Sequence, residues 1–148
     1  MLTSVSDILR AKGDAVWHVS PTTSVADTLK VLAEKDIGAL LVMDGDRIAG
    51  IVSERDIVRK VSETDAFDLD QPVSAYMTRD VFTISPEKTI EDCMGMMTDK
   101  RIRHLPVVEG EKLVGVISIG DVVKAIIHSQ EYTIEQLTKY ISGGGYNR

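Results

Sequence analysis

The apolar residues of the chain follow two alternating spacings, one typical of helices and one typical of strands. Val25, Leu29 and Leu32 recur at the i, i+4, i+7 spacing of a single buried helix face. Residues 39–43 and 48–52 are short, largely apolar and partly β-branched, and the Asp-Gly between them is typical of a hairpin turn. With a short strand at 17–19 and a helix after residue 53, this stretch is predicted to be β-α-β-β-α.

The same pattern returns 65 positions later without a gap. Residues 17–61 align with 82–126, with 12 identities in 45 pairs, and many other pairs exchange one apolar residue for another. About 45 residues are too few to bury an adequate core alone, so we expect the two halves to pack against one another. The predicted fold is therefore α/β, with two β-α-β-β-α repeats that pack against one another.

The remaining segments define the predicted domain boundaries. A short helix around 5–11 precedes the first repeat, residues 73–77 are expected to form a similar helix before the second, and the polar residues 63–71 suit an exposed linker. Residues 129–141 can form a last helix, and the glycine-rich residues 142–148 are expected to fray. The predicted domains are 1–64 (first repeat with its N-terminal helix), 72–128 (second repeat) and 129–148 (C-terminal helix and flexible tail).

Composition narrows the function classes. The chain has 148 residues and a formal net charge of -6, which argues against broad nucleic-acid binding but leaves room for one anionic ligand. Cys93 is the single cysteine, and the three histidines are not paired as helical metal sites require, so no disulfide or metal site is expected. No apolar run is long enough to span a bilayer and no signal peptide is recognisable, so we expect a cytoplasmic protein without membrane insertion.

A Gly-x-x-Ser-x-x-Asp motif occurs in both repeats, at 50–56 and at 115–121, where a strand is predicted to lead into a helix. Unpaired backbone N–H groups at a helix start favour anions, and the glycine allows another group to approach the strand closely. The alternative interpretation is structural, because a serine followed three residues later by an acid is also a capping-box variant.

A cluster of cations distinguishes the second repeat from the first. Residues 100–104 read Lys-Arg-Ile-Arg-His, whereas the matching residues 35–39 read Lys-Asp-Ile-Gly-Ala. Arginine beside histidine at the start of a buried strand suits a phosphate group, although a solvated surface is the usual explanation of a charge run. Cys93 lies away from any recognisable base, and no catalytic constellation is visible.

The duplicated unit, with Ser-Pro, Leu-Pro-Val, Asp/Glu-Gly and Gly-x-x-Ser-x-x-Asp in order, resembles the tandem cystathionine β-synthase (CBS) domain pair over residues 5–128. The resemblance implies an α/β fold in which two pseudo-symmetric β-α-β-β-α repeats are packed sheet to sheet. It also implies clefts between the repeats that take AMP, ADP, ATP, NAD(H) or S-adenosylmethionine, with no obligatory cofactor. It also implies a homodimer.

The resemblance assigns roles to individual residues. Asp56 and Asp121 would bind ribose hydroxyls, and Ser53 and Ser118 would lie against ribose or phosphate. Arg103 and His104 would reach phosphates in the cleft completed by Asp56, with Arg55 similarly placed, and the loop from Thr78 to Val81 would help to hold the base. The implied binding residues are Ser53, Arg55, Asp56, Thr78, Val81, Ile102, Arg103, His104, Ser118, Gly120 and Asp121.

The repeats depart from each other at these positions. Gly38 and Ala39 replace the basic pair in the first repeat, and Gly120 replaces Arg55 in the second. We therefore expect two unequal clefts, with phosphate binding favoured in the one that contains Asp56.

The leading hypothesis is a non-enzymatic regulatory module that binds an adenine nucleotide and acts as an energy or metabolite sensor for an unidentified enzyme or transporter. The rival hypothesis is a structural or interaction module whose clefts bind nothing. An enzyme is the third alternative.

Overall fold

The computed structural model describes residues 3–13 and 15–140, with the side chains of 132, 136, 139 and 140 left aside. The chain forms two compact units, the first-repeat unit (Ala15–Phe82) and the second-repeat unit (Met1–Asp14 with Thr83–Arg148). Each unit combines helices with a small sheet, which confirms the predicted α/β class and the duplication.

The first-repeat unit is built on a three-stranded sheet ordered β1-β2-β3, with β1 parallel and β3 antiparallel to β2. Its helix α2 buries Val25, Thr28 and Leu32. Of the predicted face, Val25 and Leu32 are therefore buried, whereas Leu29 is half-buried and packs at the edge of the core. Gly45 takes the positive φ of 63° that the tight hairpin turn requires. The elements are β1 (His18–Val19), α2 (Val25–Lys35), β2 (Ala39–Asp44), β3 (Arg47–Ser53) and α3 (Glu54–Ser62).

The second-repeat unit repeats this plan with an antiparallel β4–β5 hairpin and an additional N-terminal helix. The hairpins of both units contain a bulge at the equivalent position, after Val42 and after Val107. The elements are α1 (Val5–Lys12), α4 (Ile90–Lys100), β4 (His104–Glu109), β5 (Lys112–Ser118) and α5 (Ile119–Tyr140).

The short segment that precedes each repeat along the chain packs against the other repeat. The backbone N–H of Val5 donates to Lys88 O at 2.7 Å, and α1 buries Val5 and Ile8 in the core of the second-repeat unit. Correspondingly, Val73 N donates to Thr23 O at 2.7 Å in the first-repeat unit. The N-terminal helix, grouped with the first repeat in the sequence prediction, therefore lies in the second-repeat unit, because the apolar groove that accepts it belongs to that unit.

The strand expected at 82–84 is absent as a strand. Ile84 forms only an isolated parallel bridge with Val107, with Ile84 N donating to Pro106 O at 3.0 Å. In the first-repeat unit, the matching ladder has a second pair, His18 with Leu41. Pro106 stands where Leu41 stands and has no N–H to donate, so the second pair cannot form.

Three other expectations need correction. Residues 73–77 form only a 3₁₀ turn, Val73–Ala75. The expected last helix is continuous with the preceding one, since α5 runs from Ile119 to Tyr140. The linker is not wholly exposed, because Phe67 packs edge-on against the buried Tyr76, with ring centroids 5.8 Å apart.

The frayed tail predicted at 142–148 lies outside the described residues. Within the described part of the chain, no helix is both long and apolar enough to cross a bilayer.

Candidate functional site

The first Gly-x-x-Ser-x-x-Asp motif forms a capping box at the start of α3. Asp56 N donates to Ser53 Oγ at 3.1 Å, and Ser53 N donates to Asp56 Oδ2 at 2.9 Å. Both residues are half-buried, while Arg55 between them is exposed. The structural interpretation of the motif is therefore correct. The capping box leaves Asp56 Oδ1 without a hydrogen-bond partner among the described residues.

The loop that contains Thr78 lies beside this junction in the same unit. Thr78 N donates to Ile51 O at 2.8 Å, and Ile51 N donates to Thr78 O at 2.9 Å, so the loop extends the sheet at β3. Gly50 makes this approach possible, because a Cβ there would lie 2.7 Å from Thr78 O. Thr78 and the Ser53–Asp56 capping box are thus brought to one end of β3, and Val81 follows, half-buried.

The second motif forms the equivalent capping box at the start of α5. Ser118 N donates to Asp121 Oδ2 at 2.8 Å, and Asp121 N donates to Ser118 Oγ at 3.2 Å. Gly120, in the first turn of α5, is exposed and stands where Arg55 stands in the other unit, so no guanidinium group is present beside Asp121 at this position. The two motifs therefore have the same backbone geometry but different charged surroundings.

Asp121 has an additional partner that the sequence did not predict. Lys12 Nζ, from the last turn of α1, lies 2.7 Å from Asp121 Oδ2 and 2.9 Å from Val116 O. Burial raises the pKa of Asp121, but hydrogen bonds from Lys12 and Ser118 and the charge of Lys12 outweigh it and bring the pKa below the usual value. The carboxylate of Asp121 is therefore held ionised by a cation from α1.

The sequence contained one weak indication of this contact. Lys12 is a basic residue in the last turn of a helix, which is normally explained by the helix dipole. Its real partner lies 109 positions away, so only the packing of α1 against β5 and α5 reveals it.

The basic run of the second repeat lies next to the start of α5. Ile102 and His104 are half-buried and Arg103 is exposed, and His104 pairs with Ser118 in the β4–β5 ladder. Ile119 N donates to Arg103 O at 2.8 Å, just as Glu54 N donates to Gly38 O at 3.0 Å in the first-repeat unit. The structure thus brings Arg103 and His104 to the Ser118–Asp121 capping box of their own unit, whereas Ile102 packs against the core of that unit. The expected crossing of Arg103 and His104 toward Asp56 stays a prediction.

A cleft of about 660 Å³ lies between α1 and α5 of the second-repeat unit, within the size range of small-molecule sites. Asp7, Lys12, Asp121, Lys124 and His128 line its polar part. Its wall thus includes the Lys12–Asp121 ion pair.

The geometry of the described residues favours neither a reactive cysteine nor a metal site. Burial of the Cys93 thiol raises its pKa to about 11, with a further contribution from the charge of Asp92, so the reactive thiolate is disfavoured. Among residues 3–13 and 15–140, no cluster of three His, Cys, Asp or Glu could hold a metal ion.

Comparison with known proteins agrees with this architecture. The CBS domain family matches residues 5–63 and 73–128. The CBS domain-containing protein CBSX3, mitochondrial, from Arabidopsis thaliana is 35% identical over 151 residues, which cover 96% of this chain and 73% of that protein.

Two solved structures have similar folds. A putative signal-transduction protein with CBS domains from Burkholderia ambifaria MC40-6 is 46% identical, with a TM-score of 0.82 over 86% of this chain and 96% of that one. The structure of CBSX2 in complex with AMP is 28% identical, with a TM-score of 0.70 over 86% of this chain and 98% of that one. Both repeats of this chain match the family and the duplicated fold is shared, so the chain belongs to the CBS domain family.

Proposed function

We propose that this protein is a non-enzymatic regulatory module that binds an adenine nucleotide, with AMP as the reference ligand. The observation that carries the proposal is the end of β3, where the carboxylate of Asp56 and the backbone of Thr78 lie in one unit. The similar protein CBSX2, whose structure contains AMP, supports the choice of ligand.

The chemistry of this region suits a nucleoside. Ser53 N fixes one oxygen of the Asp56 carboxylate, which leaves the other as an acceptor for a ribose hydroxyl. Because Asp56 forms no ion pair with any described residue, the carboxylate does not have to give up a cation to bind ribose. Arg55 provides an exposed guanidinium beside it for phosphate, and the loop from Thr78 to Val81 provides a surface for the base.

Regulation would follow from a difference in nucleotide affinity between two states of the protein or of its complex with a regulated enzyme or transporter. The alternatives ADP, ATP and NAD(H) share the adenosine part and are distinguished by titration. A cytoplasmic location stays a prediction, since the Arabidopsis relative is named as mitochondrial.

The binding proposal is tested by calorimetric titration of AMP into the wild-type protein and the Asp56→Ala variant. Asp92→Ala is the matched control, because Asp92 forms the same capping box with Thr89 at the start of α4 but is not a candidate binding residue. Asp56→Ala should weaken AMP binding at least about tenfold, the effect of losing one hydrogen bond to a charged group. Asp92→Ala should leave AMP binding unchanged.

Absence of AMP binding by the wild-type protein, with any co-purified ligand first removed, would favour the rival function of an interaction module. Equal weakening by both variants would mean that the capping box acts through helix stability alone.

We also propose that the protein is a homodimer. α5 exposes one apolar face along its length, with exposed fractions of 37 to 59% at Ile119, Val123, Ile127, Ile134 and Leu137. Met97 is buried, and Met94 and Met96 are half-buried and pack against the core of their own unit. Light scattering should give about twice the chain mass of 16.3 kDa, and a monomer at micromolar concentration would contradict the proposal.

A further inference from the structure

The edges of β3 and β5 are completed in two different ways. Ile51 and Val116 are equivalent positions in the aligned repeats. Ile51 O accepts a hydrogen bond from the backbone N–H of Thr78, at 2.8 Å. Val116 O instead accepts from the ammonium group of Lys12, at 2.9 Å. A side chain in one unit therefore takes the role that a backbone segment has in the other.

The same ammonium group holds the equivalent carboxylate. Lys12 Nζ lies 2.7 Å from Asp121 Oδ2, with 35% of the Lys12 side chain and 22% of the Asp121 side chain exposed. No corresponding ion pair reaches Asp56 among the residues that the structure describes. The two ribose-binding candidates thus differ in whether an internal cation already occupies the carboxylate.

We infer that Lys12 is a specificity-determining residue that competes with a nucleoside for Asp121. The inference rests on the proposed function, because it assumes that Asp121 is a ribose-binding residue. Asp121 Oδ2 already accepts hydrogen bonds from both Ser118 N and Lys12 Nζ, whereas Asp56 Oδ2 accepts only from Ser53 N. A ribose diol that binds both carboxylate oxygens must therefore replace a charge-assisted hydrogen bond at Asp121 but meets no such competitor at Asp56. Lys12 therefore lowers the affinity of the second-repeat unit for nucleosides and makes the two units unequal.

The competition predicts an increase in affinity when the lysine is removed. The test uses the full chain in an Asp56→Ala background, so that only binding dependent on Asp121 is strong. Adenosine is the probe because it has no phosphate group. Removing a positive charge from the protein therefore cannot weaken adenosine binding through a lost attraction to phosphate. Lys12→Met should tighten adenosine binding at least about tenfold relative to the background.

The matched control is Lys112→Met, which removes the same charge from the same unit at an exposed position at the start of β5, outside the lining of the cleft. Lys112→Met should leave adenosine binding unchanged. Lys12→Gln provides a second variant with a polar side chain if Lys12→Met unfolds, and thermal unfolding identifies the folded variants. Lys12→Arg, which can retain the ion pair, should not tighten binding.

The outcomes separate this inference from the proposed function. AMP binding by the wild-type protein together with no tightening by Lys12→Met would overturn the role of Lys12 and leave the proposed function standing. Equal tightening by Lys12→Met and Lys112→Met would also overturn it, since the effect would be one of net charge. Weaker adenosine binding by Lys12→Met would show that the lysine assists the ligand. Binding of neither AMP nor adenosine by any folded variant would overturn both proposals.

Discussion

The carbonyl oxygen of Thr78 lies 2.7 Å from the point that a Cβ atom on Gly50 would occupy. The equivalent Gly115 has a different neighbour, the Cδ2 atom of Leu9, at 2.6 Å from its own hypothetical Cβ. A backbone atom held by the paired hydrogen bonds of the Ile51–Thr78 bridge cannot move as readily as the end of a leucine side chain.

The two glycines should therefore respond differently to alanine. Gly50→Ala should cost about 1–3 kcal/mol of unfolding free energy, as overpacking typically does, and should weaken AMP binding by displacing the loop at Thr78. Gly115→Ala should cost less, because Leu9 can rotate. Urea unfolding of both variants checks the order of the losses.

Rescue experiments sharpen this comparison. Leu9→Ala should relieve the overpacking in Gly115→Ala, whereas Met77→Ala should not restore Gly50→Ala, because Thr78 O remains in place. Full recovery of Gly50→Ala by Met77→Ala would contradict the importance of the backbone contact.

The ion pair of Lys12 with Asp121 should contribute stability that depends on pH. The hydrogen bonds and charge that oppose burial lower the folded-state pKa of Asp121, so the contribution is present above the unfolded-state value of about 3.9 and is lost as pH falls through the lower folded-state value. At neutral pH, Lys12→Met should cost about 1 kcal/mol, the upper range for a partly exposed pair.

Urea unfolding of the wild-type protein and Lys12→Met between pH 7 and pH 3 measures this dependence. The difference in unfolding free energy should be constant down to about pH 4 and shrink below it. A difference that grows as the pH falls would be incompatible with this ion pair.

Cys93 should be unreactive in the folded protein. Burial raises its pKa to about 11, so at pH 8 only about one thiol in a thousand is ionised. A chromogenic disulfide reagent should modify the thiol only when urea unfolds the chain, and rapid modification of the native protein would show that the residue is accessible.

The linker should be anchored by Tyr76. Its hydroxyl group donates to Gln71 Oε1 at 2.7 Å, and its ring is buried against Phe67. Tyr76→Phe should destabilise the protein by about 1 kcal/mol through the lost hydrogen bond. Phe67→Ala should cost more, because it removes the apolar contacts of a whole aromatic ring. Thermal unfolding measures both losses, and the reverse order would contradict this packing.

The amino-acid sequence was sufficient for the features that depend on local pattern. The spacing of Val25, Leu29 and Leu32 predicted α2, and the Asp-Gly turn predicted the hairpin that Gly45 closes. The serine and aspartate of each repeated motif likewise predicted helix starts that the structure contains. Such features follow from side-chain periodicity and from hydrogen bonds between residues three or four positions apart, which neighbouring residues largely decide.

Only the tertiary structure decided the features that join distant residues. It placed α1 in the second-repeat unit, so that Lys12 meets Asp121, and it placed Thr78 on the edge of β3. No local pattern indicates which apolar groove will accept a helix, because both repeats offer the same sequence motif. The choice is made by packing, through contacts such as Leu9 against Gly115 and Met77 against Gly50, and the unequal surroundings of Asp56 and Asp121 are its consequence.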